Sequence, residues 1–157
     1  MRTQNFTQDV ALVAIVGGSP TRAASSYGDA TIIDGSIYDR LAALLDVGIL
    51  AGTGTVNLKW QHCSASASDD SAWANVQATS CITSTYASTS NSKQEWLELR
   101  LDQPNSANSA APVQRYLRPL ITVANSSWTG SAIVLGRPKY APAKDVDASS
   151  VAAITVY

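Results

Sequence analysis

The sequence has very little of the chemistry on which most enzymes depend. A single histidine, His62, occurs in 157 residues, and the two cysteines, Cys63 and Cys81, lack the paired spacing of a zinc motif. Any Ser-His-Asp or Cys-His arrangement would have to use His62, which precedes Cys63 directly and would point to the opposite face of a strand. We therefore interpret His62 as structural and favour two free thiols over a disulfide. We expect no catalytic residue, no metal site and no cofactor.

Carboxylates are also sparse and poorly placed for catalysis. Glu95 and Glu98 are three residues apart, so they project to opposite sides of a strand, whereas a glycosidase needs two carboxylates that face each other. Asp69 and Asp70 are adjacent in a polar loop and lack the spacing of a calcium-binding EF-hand, which favours a turn role. An enzyme is therefore the class that this sequence supports least.

Charge and long apolar runs are scarce as well. Charged residues make up 15% of the chain and the formal net charge is −1. Nucleic acids and anionic membranes attract clustered Lys and Arg, so we expect neither as a partner. No apolar run approaches the roughly 20 residues of a membrane-spanning helix. The short run Val10–Val16 follows Asp9 directly, and we interpret it as an N-terminal strand or arm rather than a signal peptide.

What the sequence does contain is the alternation of half-buried strands. In Thr55–His62, apolar and polar residues alternate, and Glu95–Leu101 repeats the pattern. Several short strands separated by turn-rich loops predict an all-β fold, an antiparallel β-sandwich of jelly-roll-like type with extended N- and C-terminal arms. The predicted strands are Val10–Val16, Ala30–Asp34, Tyr38–Leu45, Thr55–His62, Trp73–Thr79, Glu95–Leu101, Gln114–Val123, Ser131–Gly136 and Val151–Val156.

One segment is ambiguous, and three others are predicted loops. In Ser36–Val47 the apolar residues have helical spacing, yet glycines bracket the segment, so a short helix and a buried strand are equally compatible. The loops rich in small residues are Ser64–Ser71, Ser84–Ser92 and Asp102–Pro112.

The predicted organisation has three parts: an N-terminal strand or arm at 1–27, a β-sandwich domain at 28–137 and a C-terminal arm at 138–157. The last part contains two prolines and several charges, and it ends in the strand-like segment Val151–Val156. An arm of this kind favours strand addition to a neighbouring subunit.

The four tryptophans are the remaining candidates for a binding platform. Trp60 lies on the apolar face of its strand and is predicted to be core, whereas Trp96 lies opposite the leucines of its strand, either exposed or between layers. Trp73 and Trp128 open strands and are predicted at an edge. Because buried aromatic residues dominate cores and interfaces, we favour a core or subunit-interface role over a carbohydrate platform.

Three pieces, taken in order, resemble small proteins of tailed-bacteriophage structural modules. Leu58–His62 followed by Ser68–Val76 resembles their hairpin of strand, Ser-Asp-Asp, Trp and strand. Arg115–Thr122 resembles the Arg-Tyr-hydrophobic-Arg strand that follows, and Val134–Pro142 resembles their closing segment. In this order the pieces are similar to phage head decoration, or capsid cement, proteins of β-sandwich or jelly-roll type.

This resemblance implies a non-enzymatic virion protein. Such a protein assembles in the host cytoplasm, binds the outer surface of the major capsid protein lattice, commonly as a homotrimer, and reinforces the shell. Two alternatives stay open: a phage tail, fibre or adaptor component, and a carbohydrate-binding β-sandwich module. The residues that we predict at the interface are Arg115, Arg118, Trp128, Arg137, Lys139 and Tyr140.

Overall fold

The computed structural model describes residues 10–17, 26–27, 31–50, 53–66, 70–76, 82–87, 93–101, 113–125 and 127–139. Within these residues the chain forms β-strands and two short 3₁₀ turns, Gly35–Ile37 and Asp70–Ala72, with no α-helix. The strands are β1 (Ala11–Gly17), β2 (Ser26–Tyr27), β3 (Ile33–Asp34), β4 (Tyr38–Leu50), β5 (Thr53–Cys63), β6 (Ala74–Asn75), β7 (Ile82–Ala87), β8 (Gln94–Arg100), β9 (Tyr116–Ala124) and β10 (Trp128–Pro138).

The strands form two antiparallel sheets that pack against each other. The four-stranded sheet has the order β1-β10-β4-β8. The six-stranded sheet has the order β2-β9-β5-β6, with β3 also paired to β9 and β7 also paired to β5. The prediction of an all-β antiparallel sandwich is confirmed, and the finer jelly-roll assignment stays a prediction.

The ambiguous segment is a strand. Leu41, Ala43, Leu45 and Val47 are fully buried in β4, while the residues between them are partly exposed, which is the period of two that a strand requires. Both edges of β4 are paired, to β10 and to β8, so its backbone hydrogen bonds are satisfied within the sheet. The helix alternative is therefore wrong, because pairing with two neighbours overrides a short run of helical spacing.

The core lies between the two sheets and includes two fully enclosed tryptophans. Trp60 of β5 is 1% exposed, and its indole N–H donates to the Leu97 carbonyl oxygen of the opposite sheet at 3.5 Å. This places Trp60 in the core, as predicted. Burial of an aromatic side chain of this size is among the largest single contributions to a core. The larger members of the core are Leu41, Leu45, Val47, Leu50, Val56, Leu58, Trp60, Leu117, Ile121, Trp128 and Val134.

The six-stranded sheet differs from the prediction on one side of β5. Of the predicted strand Trp73–Thr79 the structure describes residues 73–76, and among these only the two residues of β6 form a strand. β7 occupies Ile82–Ala87, partly within the predicted loop Ser84–Ser92. The small polar residues of β7 give little alternation in sequence. They form a strand because they pair with β5: Thr53–Leu58 of β5 pair with β7, whereas Gln61 and His62 of β5 pair with β6.

Of the two predicted arms, the structure describes part of the N-terminal one. β1 pairs with β10 along its whole length, so of the strand or arm predicted for the N-terminal part, residues 11–17 are a strand of the four-stranded sheet. Residues 140–157, which include the predicted strand Val151–Val156, lie outside the described residues.

Candidate interaction surface

The outward face of the four-stranded sheet carries a row of apolar side chains. The strand register places Ile15 opposite Ile133, Ile133 opposite Leu44, and Leu44 opposite Trp96. Directly opposed residues of antiparallel strands lie on the same face of the sheet. Their sequence neighbours are buried toward the core, so this row points away from the core.

A second row extends the first. Leu12 is opposite Leu135, Leu135 is opposite Ala42, and Ala42 is opposite Glu98. We call the apolar members of the two rows the outer patch. It consists of Leu12, Ile15, Ala42, Leu44, Trp96, Ile133 and Leu135.

The outer patch is open to solvent at its two sides. Trp96 is 60% exposed and Ile15 is 40% exposed, while the residues between them are partly exposed. Both edge strands of this sheet, β1 and β8, thus present a large apolar side chain to water. A contiguous apolar patch of this kind is a candidate surface for contact with another protein.

A row of three arginines borders the outer patch. Arg137 is opposite Arg40, and Arg40 is opposite Arg100. Glu98 lies between this row and Trp96 along β8, and its carboxylate accepts a hydrogen bond from Arg40 at 3.0 Å. The border thus brings three guanidinium groups together, one of them paired with the Glu98 carboxylate. We call Arg40, Arg100 and Arg137 the arginine row.

Arg115, one of the predicted interface residues, forms a structural ion pair. Its guanidinium contacts the Asp34 carboxylate at 2.6 Å through Nη2, and its Nε also donates to that carboxylate. These hydrogen bonds are the main reason that the pKa of Asp34 lies well below its ordinary value of 3.8. The pair ties β3 to the start of β9. Arg115 also lines a surface pocket of about 280 Å³, together with Gly35, Ser36, Leu101, Val113, Gln114 and Lys139.

Arg118 and Trp128 lie in the interior of the chain. Arg118 is 3% exposed, its Nε donates to the Gln61 side-chain oxygen at 2.8 Å, and its guanidinium lies 4.6 Å from the centre of the Trp73 ring. Trp128 is fully buried, and its indole N–H donates to the Val47 carbonyl oxygen at 2.6 Å. Neither side chain reaches the surface, so we remove both from the candidate interface.

The other predicted interface residues are divided between the surface and the undescribed tail. Arg137 and Lys139 are exposed, and Arg137 belongs to the arginine row. Tyr140 lies outside the described residues. Trp73, which opens a predicted strand, is buried, and its ring packs against the Arg118 guanidinium of β9.

Sequence reasoning missed most of the outer patch. Trp96 was identified as exposed or between layers, and the structure exposes it. The available signal was that β4 and β10 are apolar on both alternating faces over Ala42–Leu45 and Ala132–Leu135. Strands that are apolar on both faces are typical of sheets covered on both sides. Only the register of four strands shows that these outward residues meet.

His62 is buried beside the start of β9 and accepts a hydrogen bond. Its ring is 4% exposed, and the Gln114 backbone N–H donates to its Nδ1 at 3.0 Å. Burial disfavours the charged imidazolium and lowers the pKa of His62 below its ordinary value of 6.5. The contact also requires an unprotonated Nδ1, since protonation converts this acceptor into a donor.

We expect this contact to make the fold sensitive to mild acid. The unfolded chain takes up a proton on His62 at pH 6.5, above the pKa in the folded chain, so the free energy of unfolding falls as the pH drops below 6.5. A second decrease follows below pH 3.8 as the unfolded state protonates Asp34 before the folded state does. Urea unfolding on either side of pH 6.5 measures the first step. The variant His62→Asn, which keeps an acceptor but does not titrate, should lose that step, and an unchanged profile would contradict the assignment.

The described residues offer little for other kinds of site. Among them, no group of three or more His, Cys, Asp or Glu side chains is arranged to hold a metal ion. Cys63 is a buried free thiol. In this part of the chain, no helix is long and apolar enough to cross a membrane. Neither a protein-family profile nor a curated protein sequence matches the chain.

Proposed function

We propose that this chain is a decoration protein of a tailed-bacteriophage capsid. In this proposal it binds the outer surface of the major capsid protein lattice as a homotrimer and stabilises the shell. The observation that carries the proposal is the outer patch, an apolar face on a two-sheet sandwich that a solitary chain leaves partly in water. The sequence resemblance over three ordered pieces is the reason that we propose a phage capsid as the assembly to which this surface binds.

The physical demands of such a role match the properties of the described residues. Reinforcing a shell requires a preformed surface that buries apolar area at subunit junctions. Each 100 Å² of apolar surface removed from water contributes about 2.5 kcal/mol before the entropic cost of association is subtracted. Trp96 has the character of an interface anchor, since large aromatic residues dominate binding energy. The arginine row beside it supplies charged contacts that fix orientation more than they add affinity.

The tryptophans disfavour the carbohydrate-binding alternative. That module predicts two or more exposed tryptophans on one face. Of the four in this chain only Trp96 is exposed, whereas Trp60, Trp73 and Trp128 are buried.

Changing Trp96 should separate assembly from folding. The variant Trp96→Asp places a charge in a surface that excludes water on binding, so occupancy on capsids should fall at least about tenfold. Its free energy of unfolding should change by less than about 1 kcal/mol because the side chain is exposed. Cosedimentation with capsids and urea unfolding measure the two quantities. Ile32→Asp, at an exposed site in the connection before β3, is the matched control and should bind normally. Equal binding by both variants would remove the outer patch from the proposal.

Cryo-electron microscopy of particles that carry the chain tests the function directly. Density for the sandwich at three-fold or quasi-three-fold junctions of the capsid surface is the expected result. Density confined to the tail or to one vertex would replace the decoration function by the adaptor function. Particles without this density would contradict both virion functions.

A further inference from the structure

The outer patch has a candidate occupant within the sequence of this chain. We propose that it binds the C-terminal segment, residues 145–156, of a second copy. This inference rests on the proposed function only in taking the outer patch as an assembly surface, and it assigns that surface to the contact between copies within the oligomer that binds the capsid. It is carried by three observations: where the chain leaves the sheet, how the segment's charge and apolar residues are ordered, and how the connecting residues direct the chain.

The chain leaves the four-stranded sheet beside the arginine row. Arg137 is the arginine of β10 in that row, and Pro138 pairs with Tyr38 at the end of the strand. The backbone N–H of Lys139 then donates to the Ile37 carbonyl oxygen at 2.9 Å, which fixes the exit point. The residues that follow, 140–157, can span up to about 60 Å when extended, at roughly 3.3 Å per residue. That length reaches well beyond one sandwich.

The order of residues in the segment matches the order of side chains on the sheet. Asp145 and Asp147 come first, and the apolar run Val151–Val156 follows. Along β10 the positive Arg137 comes at one end and the apolar Ile133 lies four residues away, with Leu135 between them. Asp147 and Val151 are also four residues apart. An extended segment can therefore place its acids on the arginine row and its apolar run on the outer patch at once.

The connecting residues favour a second copy over the same chain. Pro138 and Pro142 fix their own φ angles at about −65° and disfavour the α conformation in the residues before them, and no glycine follows Gly136. A segment that folded back over its own sheet would have to reverse its direction within residues 139–144, which contain no glycine. An extended segment instead carries its apolar run away from its own patch and toward that of a neighbour.

The apolar run provides the first test. We expect the full chain to be an oligomer by light scattering coupled to size-exclusion chromatography. Adding charge at both faces of the run, in Val151→Asp/Ile154→Asp, should raise the dissociation constant on the order of 100-fold, because buried unpaired charge is strongly disfavoured. The matched control Ala141→Asp/Ala143→Asp adds the same charge before the segment 145–156 and should leave the oligomer intact. Equal weakening by both variants would overturn the inference.

The charges provide the second test. Arg137→Glu and Asp147→Arg should each weaken association about tenfold, and the combined variant should recover most of that loss because the two charges are exchanged. Additive losses would overturn the pairing. A wild-type chain that is monomeric at every concentration yet binds capsids would overturn this inference and leave the proposed function standing. A wild-type chain that forms the oligomer but does not bind capsids would overturn the proposed function and leave this inference standing.

Discussion

Replacing Trp128 by alanine should lower the free energy of unfolding by about 3–5 kcal/mol, the range for removing a large aromatic side chain from a core. The side chain is fully buried at the start of β10, opposite Leu50 of β4. Its indole N–H also donates to the Val47 carbonyl oxygen at 2.6 Å, and the substitution leaves that acceptor without this donor. Urea unfolding followed by circular dichroism measures the change.

Two variants separate the causes of this loss. Trp96→Ala removes an equally large side chain from an exposed site and should change the free energy of unfolding by less than about 1 kcal/mol. Trp128→Phe keeps most of the buried ring but not the donor, so it should fall between the wild type and Trp128→Ala. Similar losses for Trp96→Ala and Trp128→Ala would contradict the assignment of one to the surface and the other to the core.

Gly48→Ala should lower the free energy of unfolding by about 2–5 kcal/mol, combining backbone strain with overpacking. Gly48 has a φ of 57°, in the left-handed region that favours glycine. A Cβ atom added there would fall against the Thr129 carbonyl oxygen of the paired strand β10. Because backbone held in a sheet moves little, β4 and β10 would have to separate locally to make room for the Cβ atom. Thermal and urea unfolding measure the change.

Asn125 isolates the steric part of this effect. It has a φ of 58° but is exposed, between β9 and β10. Asn125→Ala should therefore cost only about 1 kcal/mol, from strain alone. A loss for Gly48→Ala no larger than that for Asn125→Ala would show that the close approach to Thr129 is relieved at little cost.

The strands that alternate in sequence are those that the sequence predicted well. β8 buries Leu97 and Leu99 and exposes the residues opposite them, and β5 alternates between buried and partly exposed residues over Val56–Trp60, so the residue order of both strands reflects their environment. The sequence of β7 shows no such alternation, because β7 is a strand through its pairing with β5. The segment around Leu41–Leu45 was ambiguous for a related reason: β4 is apolar on both faces, and a short apolar run does not distinguish a helix from a strand.

The candidate site was less predictable than the fold. Charge and aromaticity predicted Arg118 and Trp128 at the interface, yet both side chains have their partners inside the fold. The Arg118 guanidinium packs on the Trp73 ring, and the Trp128 indole N–H donates to the Val47 carbonyl oxygen. Residue type alone does not separate an interface anchor from a buried one, since the same side chains dominate both environments.

The sequence by itself determined the class of fold and the scarcity of catalytic chemistry. Alternating apolar residues require a sheet with a covered face, and one histidine with two glutamates offers few acid-base pairs. Only the tertiary structure decided which outward residues meet. Ile15, Ile133, Leu44 and Trp96 come from four strands widely separated in the chain, and cross-strand register makes them neighbours. Register depends on hydrogen bonding between strands, which no single stretch of sequence contains.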